Sequence, residues 1–357
     1  MTEIANASHE ITVQPSGRAF ATQSSETILA AAIRSGVGLP YGCKDGACGS
    51  CKCKKLSGDV THGPHADKAL TAQEEADGYV LTCCARPTSD VTIEADIDVP
   101  EELEVHPVED YVGTIVSLDD IAAGTKRLVM RLDRPMGFNA GQYMRFRIPG
   151  HEGIDRTWSI ASSPTSPQEL EFQISNVPGG IGTEGWLFST AKVGDEVQLS
   201  GPYGRFVLRT WEDKPVVMLA AGTGLAPLAS MVRHALTDGQ YEGHITLYAG
   251  ARTPDELYDV EVFRELEEEF GDQFSYHPCV SGCEAEGFRH GRVNEVMESD
   301  FDRLGGYQGY ICGSPAMVES SLKSLMGKRL FPRDIFHEDF FNESDKAAGV
   351  GSPLIKR

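Results

Sequence analysis

The chain has 357 residues, 40% of them hydrophobic, and a formal net charge of −21. That length exceeds one ordinary core and predicts several domains of ~100 to 200 residues, of which we count three. Such acidity argues against nucleic-acid binding, which needs basic patches, and no stretch approaches the ~20 unbroken apolar residues of a membrane helix, so no membrane association is expected.

The opening MTEIANASHEITV lacks the basic start and apolar middle of a secretory signal, which predicts a cytoplasmic protein. Glu10 to Val13 and Arg18 to Thr22 read as strands around the turn Pro15-Ser16-Gly17. Thr27 to Ile33 reads as a helix with Ser24 or Ser25 as cap and Gly36 as stop. Next comes Tyr41-Gly42-Cys43-Lys44-Asp45-Gly46-Ala47-Cys48-Gly49-Ser50-Cys51-Lys52-Cys53, and about thirty residues later Leu81-Thr82-Cys83-Cys84-Ala85-Arg86-Pro87. A C-x4-C-x2-C run with a distant cysteine is the ligand spacing of plant-type ferredoxins, which hold a 2Fe-2S cluster. Zinc sites usually repeat C-x2-C twice, which this run does not. Glycines 42, 46 and 49 let backbone N–H groups crowd around thiolates without Cβ clashes. LTCCARPTSDVTIE resembles the ferredoxin segment whose first cysteine is the ligand, which implies Cys43, Cys48, Cys51 and Cys83 as the metal set and an α+β, β-grasp domain over residues 1–98.

Of the nine cysteines, Cys53, Cys84, Cys279 and Cys283 are expected to be buried thiols acting as small apolar side chains. His277, Cys279, Cys283 and His290 match none of the common zinc spacings. Two roles suit the acidic surface, solubility alone or docking of a basic partner.

Residues 99–109 are proline-flanked and acidic and read as a linker. From 110 to 211 the runs YVGTIVSL, RLVMRL, QYMRFRI, TWSIA, LEFQIS, EVQLS and FVLR alternate with turns, predicting an antiparallel β-barrel. Arg156-Thr157-Trp158-Ser159 resembles the RxYS signature of the ferredoxin-NADP reductase superfamily, with tryptophan in place of tyrosine. The resemblance implies Arg156 at flavin phosphates, Trp158 against the isoalloxazine and Ser159 near flavin N5. Pro178-Gly179-Gly180-Ile181-Gly182-Thr183 resembles the second flavin segment, implying Gly180, Gly182 and Thr183 at a pyrophosphate and hence FAD. Gly201-Pro202-Tyr203-Gly204-Arg205-Phe206 matches the same family's GPxGxF turn.

Residues 212–341 alternate strand and helix patterns, predicting an α/β doubly wound nicotinamide domain. The apolar strand Pro215 to Ala221 leads into Gly222-Thr223-Gly224-Leu225-Ala226-Pro227 and then a helical run, the phosphate-binding arrangement of a parallel sheet. GTGLAP resembles the superfamily's GxGxxP turn and implies Gly222, Thr223, Gly224 and Pro227 as cofactor contacts. At the end of the next strand, Gly250 and Arg252 face the cofactor choice: one arginine beside Asp255 and Glu256 favours NADH over a 2′-phosphate. Ile311-Cys312-Gly313-Ser314-Pro315 resembles the CGPP motif with serine for the first proline, implying Cys312 and Gly313 at the nicotinamide. Ile335 to Phe341 resembles the terminal segment whose aromatic covers the flavin, either Phe340 or Phe341, and residues 342–357 read as a flexible tail.

This order of ferredoxin, flavin and nicotinamide modules resembles the reductase components of bacterial multicomponent oxygenases, those for phenol, toluene, methane and benzoate. The resemblance implies electron flow from NADH through FAD to the cluster and on to a di-iron or Rieske oxygenase component, with Cys312 and Ser159 at the hydride-transfer site and the protein a monomer. A similar arrangement serves sugar deoxygenation, as in CDP-deoxyglucoseen reductase, and a non-catalytic redox sensor would also retain the fold. The surface around Lys44, Asp45 and Ala47 is expected to meet the acceptor.

Overall fold

The computed structural model describes residues 8–23, 25–42, 44, 46–95, 97, 103–237 and 241–341, so Cys43, Asp45 and the tail 342–357 lie outside the described residues. The chain divides into two compact units between Val108 and Glu109.

In the first unit, β1 (Glu10–Gln14) and β2 (Arg18–Ala21) form the expected hairpin. Alternation places Ile11 and Val13 on the buried face of β1. After α1 (Ile28–Arg34) come β3 (Lys52–Ser57), β4 (Val60–His62), α2 (Ala72–Ala76), β5 (Tyr79–Leu81), β6 (Ala85–Pro87) and β7 (Val91–Glu94). The mixed sheet runs β2-β1-β7-β3-β5, with β1 parallel to β7, and β4 pairs separately with β6. Ile28, Leu29, Val91 and Ile93 join Ile11 and Val13 in one core, each such side chain contributing about 1.5–3 kcal/mol.

One local expectation differs. Thr27, not a serine, caps α1: it sits directly before the first helical residue and its Oγ1 accepts the Ala30 N–H at 3.2 Å. Ser25 lies too far upstream and has φ 66°. Helix α2 is started by a reciprocal capping box between Thr71 and Glu74.

In the second unit, β8 (Glu109–Ala122), β9 (Thr125–Leu132), β10 (Tyr143–Arg147), β11 (Asp155–Ser159), β12 (Glu169–Ser175) and β13 (Glu196–Tyr203) form an antiparallel sheet ordered β11-β10-β13-β8-β9-β12. A bridge between Ile160 and Phe172 joins the two edges, closing a barrel around Leu128, Met130, Phe146, Phe172 and Leu199. The expected strand FVLR is absent. Residues 206–208 are buried but unladdered, because the chain leaves the barrel there: the Arg209 N–H goes to the Tyr310 hydroxyl at 3.0 Å. Gly141, at φ 102°, clears this crossing, since a Cβ would lie 2.2 Å from the Phe206 carbonyl oxygen.

The rest of the unit is a parallel sheet of β14 (Val216–Ala221), β15 (Ile245–Ala251), β16 (Phe274–Val280), β17 (Arg289–His290), β18 (Gln308–Gly313) and β19 (Ile335–Asp339), ordered β17-β16-β15-β14-β18-β19. Helices α3 (Leu225–Thr237), α4 (Val260–Glu269), α5 (Val293–Asp300) and α6 (Pro315–Gly327) connect the strands. Residues 216–220 are fully buried, as a central parallel strand covered on both faces requires. Strand order reverses direction at β14, so the crevice beyond its C-terminal end, between β14 and its neighbours, is where such a sheet binds ligands.

Cys53, Cys84 and Cys279 are buried, but Cys283 is exposed: it falls in the irregular turn after β16, beyond the ladder that encloses Cys279. His290 Nδ1 meets the Cys283 carbonyl at 3.0 Å rather than its sulfur. Among the described residues no helix is long and apolar enough to cross a membrane.

Candidate functional site

The cysteine loop lies between α1 and β3 of the first unit. Cys51 and Cys83 bring their Sγ atoms to 3.2 Å, close enough for two thiolates to share one metal atom, and the Ser50 N–H points at Cys48 Sγ from 3.5 Å. A two-iron cluster asks for two cysteines at each iron, so the close pair fits it, although no three His, Cys, Asp or Glu side chains among the described residues surround a single ion. Cys84 Sγ lies 3.5 Å from Cys83 Sγ and the same distance from the Pro64 carbonyl. Gly46 must be bare, because a Cβ would lie 2.8 Å from both Cys84 Sγ and His65 Cβ, and its φ is 77°. Ala47 is only 2% exposed, so its side chain offers no docking surface. The loop must turn inward there to bring its cysteines together.

In the barrel, β11 and the segment after β12 meet. Gly182 lies so near Arg156 that a Cβ would stand 2.8 Å from Arg156 Cγ. Trp158 is half-buried, edge-on to Phe146 at 4.6 Å and stacked on Trp186 at 6.2 Å. Thr157 faces outward, while Ser159 is buried opposite Tyr143. Thr183 staples its own loop: its hydroxyl donates to the Val177 carbonyl at 3.2 Å and accepts the Val177 N–H at 3.1 Å. Gly180 packs beneath it, where a Cβ would lie 2.5 Å from Thr183 Oγ1.

In the parallel sheet a cleft opens at the ends of β14 and β15, lined by Gly222, Leu225, Gly250, Glu256, Leu257 and Tyr258 among others. Gly222 to Gly224 form a short turn entering α3, whose Pro227 sits in the first helical turn, where its missing N–H is harmless. Gly250 is bare because Val293 of α5 packs on it, 2.6 Å from where a Cβ would be. Cys312, next to last in β18, lies beside Ala220 and opposite Glu338 of β19. Burial pushes its thiol well above the ordinary value, and the carboxylates of Glu338 and Asp339 add to the push, so it is held neutral. Ser314, where the resembling motif has proline, caps α6 by accepting the Met317 N–H at 3.4 Å. The terminal aromatics separate: the Phe340 N–H donates to the Gly313 carbonyl at 2.8 Å and its ring packs against the core that includes Cys312, a core Phe341 does not join.

The sequence places Glu256 beside Arg252 but shows neither its contacts nor any role for Tyr258. Glu256 grips Arg252, meeting its guanidinium at 2.9 Å and its backbone N–H at 3.0 Å. Tyr258, 4% exposed, donates to the Gly222 carbonyl at 3.1 Å, tying the loop after β15 to the glycine turn. Only the adjacency of Glu256 to the strand end signalled either.

Three family models match the chain in series: a 2Fe-2S iron-sulfur cluster binding domain over residues 11–88, an oxidoreductase FAD-binding domain over 113–208, and an oxidoreductase NAD-binding domain over 218–323. The reductase component of phenol 2-monooxygenase from Pseudomonas sp. (strain CF600) is 40% identical over 98% of this chain and 99% of its own length. The ferredoxin--NAD(P)(+) reductase component of the naphthalene 1,2-dioxygenase system of Pseudomonas putida is 34% identical over 93% of this chain and 98% of its own. The crystal structure of Amycolatopsis cytochrome P450 reductase GcoB superposes with TM-score 0.86 at 36% identity, covering 93% of this chain and 98% of that one. The cofactors of this architecture are FAD and a 2Fe-2S cluster, with NAD(P)H as electron donor and an oxygenase component as acceptor. With its ferredoxin domain, flavin barrel and nicotinamide sheet in this order, the chain belongs to the reductase components of multicomponent oxygenases.

Proposed function

We propose that this reductase is specific for NADH and delivers electrons to the hydroxylase component of a phenol-type monooxygenase. The observation that carries the NADH preference is the Arg252–Glu256 pair. The Arg252 guanidinium, just past the end of β15, is already engaged by a carboxylate, and that carboxylate lines the cleft. A 2′-phosphate would meet the acid, whereas a ribose 2′-hydroxyl would find an acceptor. The phenol-type acceptor rests on the 40% identity over nearly the full length of both chains.

In this reading Cys43, Cys48, Cys51 and Cys83 hold the cluster. Arg156 meets flavin phosphates, Trp158 and Phe340 flank the ring system, and Ser159 lies near N5. Gly222, Thr223 and Gly224 receive the nicotinamide dinucleotide's phosphates at the start of α3, and the neutral Cys312 thiol borders the nicotinamide. FAD, when bound, accepts a hydride and passes electrons on singly, which a cluster alone does not do. The protein's part is to bind, orient and exclude water. We place it in the cytoplasm as a monomer, with Lys44 at the exit surface.

Steady-state reduction of a dye with NADH and with NADPH tests the first claim: a large preference for NADH is expected, and equal or better use of NADPH overturns it. Light scattering tests the monomer. Phenol turnover with purified hydroxylase components and this reductase tests the acceptor, and the Lys44→Glu variant should slow that turnover while leaving flavin reduction unchanged.

A further inference from the structure

Asp259 follows Tyr258 and sits at the N-terminus of α4 in the left-handed conformation, with φ 56°. An aspartate in that position ordinarily caps its own helix. Here the carboxylate makes no capping bond, and its side chain is only 4% exposed. One oxygen accepts from Arg127 of β9. The other accepts from Gln173 of β12 at 2.9 Å and from Arg233 of α3 at 3.3 Å. Glu171 of β12 approaches the same two guanidiniums, 3.4 Å from Arg127 Nε and 3.3 Å from Arg233 Nη1. Two cations and two anions thus balance across the joint between barrel and parallel sheet.

The helix held by this cluster touches both halves of the expected hydride path. Arg233 donates to the Ala161 carbonyl at 2.9 Å, and Ser230, one turn earlier and fully buried, donates to the Ser162 carbonyl at 2.7 Å. Those carbonyls lie two and three residues after Ser159. At its N-terminus α3 begins from the glycine turn, and Tyr258, the residue before Asp259, is bonded to that turn.

We propose that Asp259, with Arg127, Gln173 and Arg233, is a positioning cluster that registers the nicotinamide-binding turn against the flavin segment Ser159–Ser162. The inference rests on the assignment of those two segments to NADH and FAD. Desolvation offsets much of the attraction in a buried ion pair, so a carboxylate that forgoes its cap for three partners on other elements contributes geometry more than stability. Hydride transfer needs reacting atoms about 3–3.5 Å apart, and a ~1 Å misplacement costs ~10²-fold.

The test uses the full-length holoprotein with Asp259→Asn, which keeps size and tolerance of a left-handed backbone while removing the charge, and Arg127→Lys, which keeps charge at a rim position but loses the guanidinium fork. Flavin and iron content should match wild type, and electron transfer to a dye from chemically reduced enzyme should be unchanged. Flavin reduction by NADH should fall by ~10²-fold, with a larger primary isotope effect from deuterated NADH. Amide hydrogen exchange should rise in residues 159–163 and 222–233 and stay constant in β8 and β13. A lowered melting temperature with wild-type reduction rate, isotope effect and exchange at those segments would overturn the proposal. If Asp259→Asn does not fold, Arg127→Lys decides by the same readouts. Failure of NADH to reduce the wild-type flavin would instead refute the cofactor assignment.

Discussion

Gly224→Ala places one methyl group where the turn after β14 touches the end of β18. A Cβ at Gly224 would stand 2.1 Å from the Cys312 carbonyl oxygen, 2.5 Å from its carbon and 2.8 Å from the Gly313 nitrogen. All three are backbone atoms, so no side chain rotates away, and the two segments must part by more than an ångström to restore ordinary contact. The strands behind them cannot separate to help, because Ala220 of β14 pairs with Cys312 of β18 in a parallel ladder. The strain therefore falls on the turn Gly222–Gly224 and on the start of α3. Overpacking of this kind costs about 1–3 kcal/mol, and a ~1 Å shift of a positioning element costs ~10²-fold in rate. The melting temperature should drop by several degrees in calorimetry, with flavin and cluster absorption retained because the barrel and cysteine loop are untouched. Stopped-flow flavin reduction by NADH should slow about a hundredfold. Wild-type reduction rate and NADH affinity in Gly224→Ala would refute the claim that this contact shapes the cofactor site.

Other substitutions probe the remaining parts. Cys83→Ser should abolish the cluster's visible absorption and electron paramagnetic resonance signal, whereas Cys84→Ser should leave both; the reverse pattern would transfer the ligand role to Cys84. Glu256→Gln should free Arg252 and raise the ratio of NADPH to NADH efficiency about tenfold, equivalent to roughly 1.4 kcal/mol; an unchanged ratio would remove Glu256 from cofactor choice. Alkylation of the native protein followed by mass spectrometry should label exposed Cys283 and spare Cys279 and Cys312. Burial raises the folded-state values of both the Cys312 thiol and the Tyr258 hydroxyl. The stability these groups contribute is therefore complete below the ordinary unfolded values, about 8.5 for a thiol and 10 for a phenol, and is lost as pH rises past them. Melting temperature should decline from about pH 8.5 upward, and the decline should be shallower in Cys312→Ala.

The parts of this molecule that depend on neighbours in sequence were readable in advance. The cysteine spacing, the apolar run before GTGLAP and the hairpin of β1 and β2 each express a local geometric demand. Where a non-local partner decides, the reading diverged. The apolar run 206–209 looks like another strand, yet Tyr310 takes its backbone N–H from a hundred residues away in sequence. Cys283 looks like Cys279 in composition, and only the end of the β16 ladder separates an exposed thiol from a buried one. Ala47 lies in a polar, glycine-rich loop, but the inward fold that buries Cys48 and Cys51 buries it with them. Ser314 departs from the motif it resembles, and its role as a helix cap explains how the turn tolerates it. Asp259 shows the limit most clearly: its partner Arg127 lies 132 positions away, and no periodicity or spacing joins them.

Electrons pass from NAD(P)H through flavin to cluster within one chain. Anaerobic rapid mixing of the purified protein with one equivalent of NADH, followed at flavin and cluster wavelengths, tests this order directly. The flavin absorption should bleach first, and the cluster should follow in a slower phase that is lost in Cys83→Ser while the first phase remains. Bleaching of the cluster without a preceding flavin phase, or an unreactive flavin, would contradict the account.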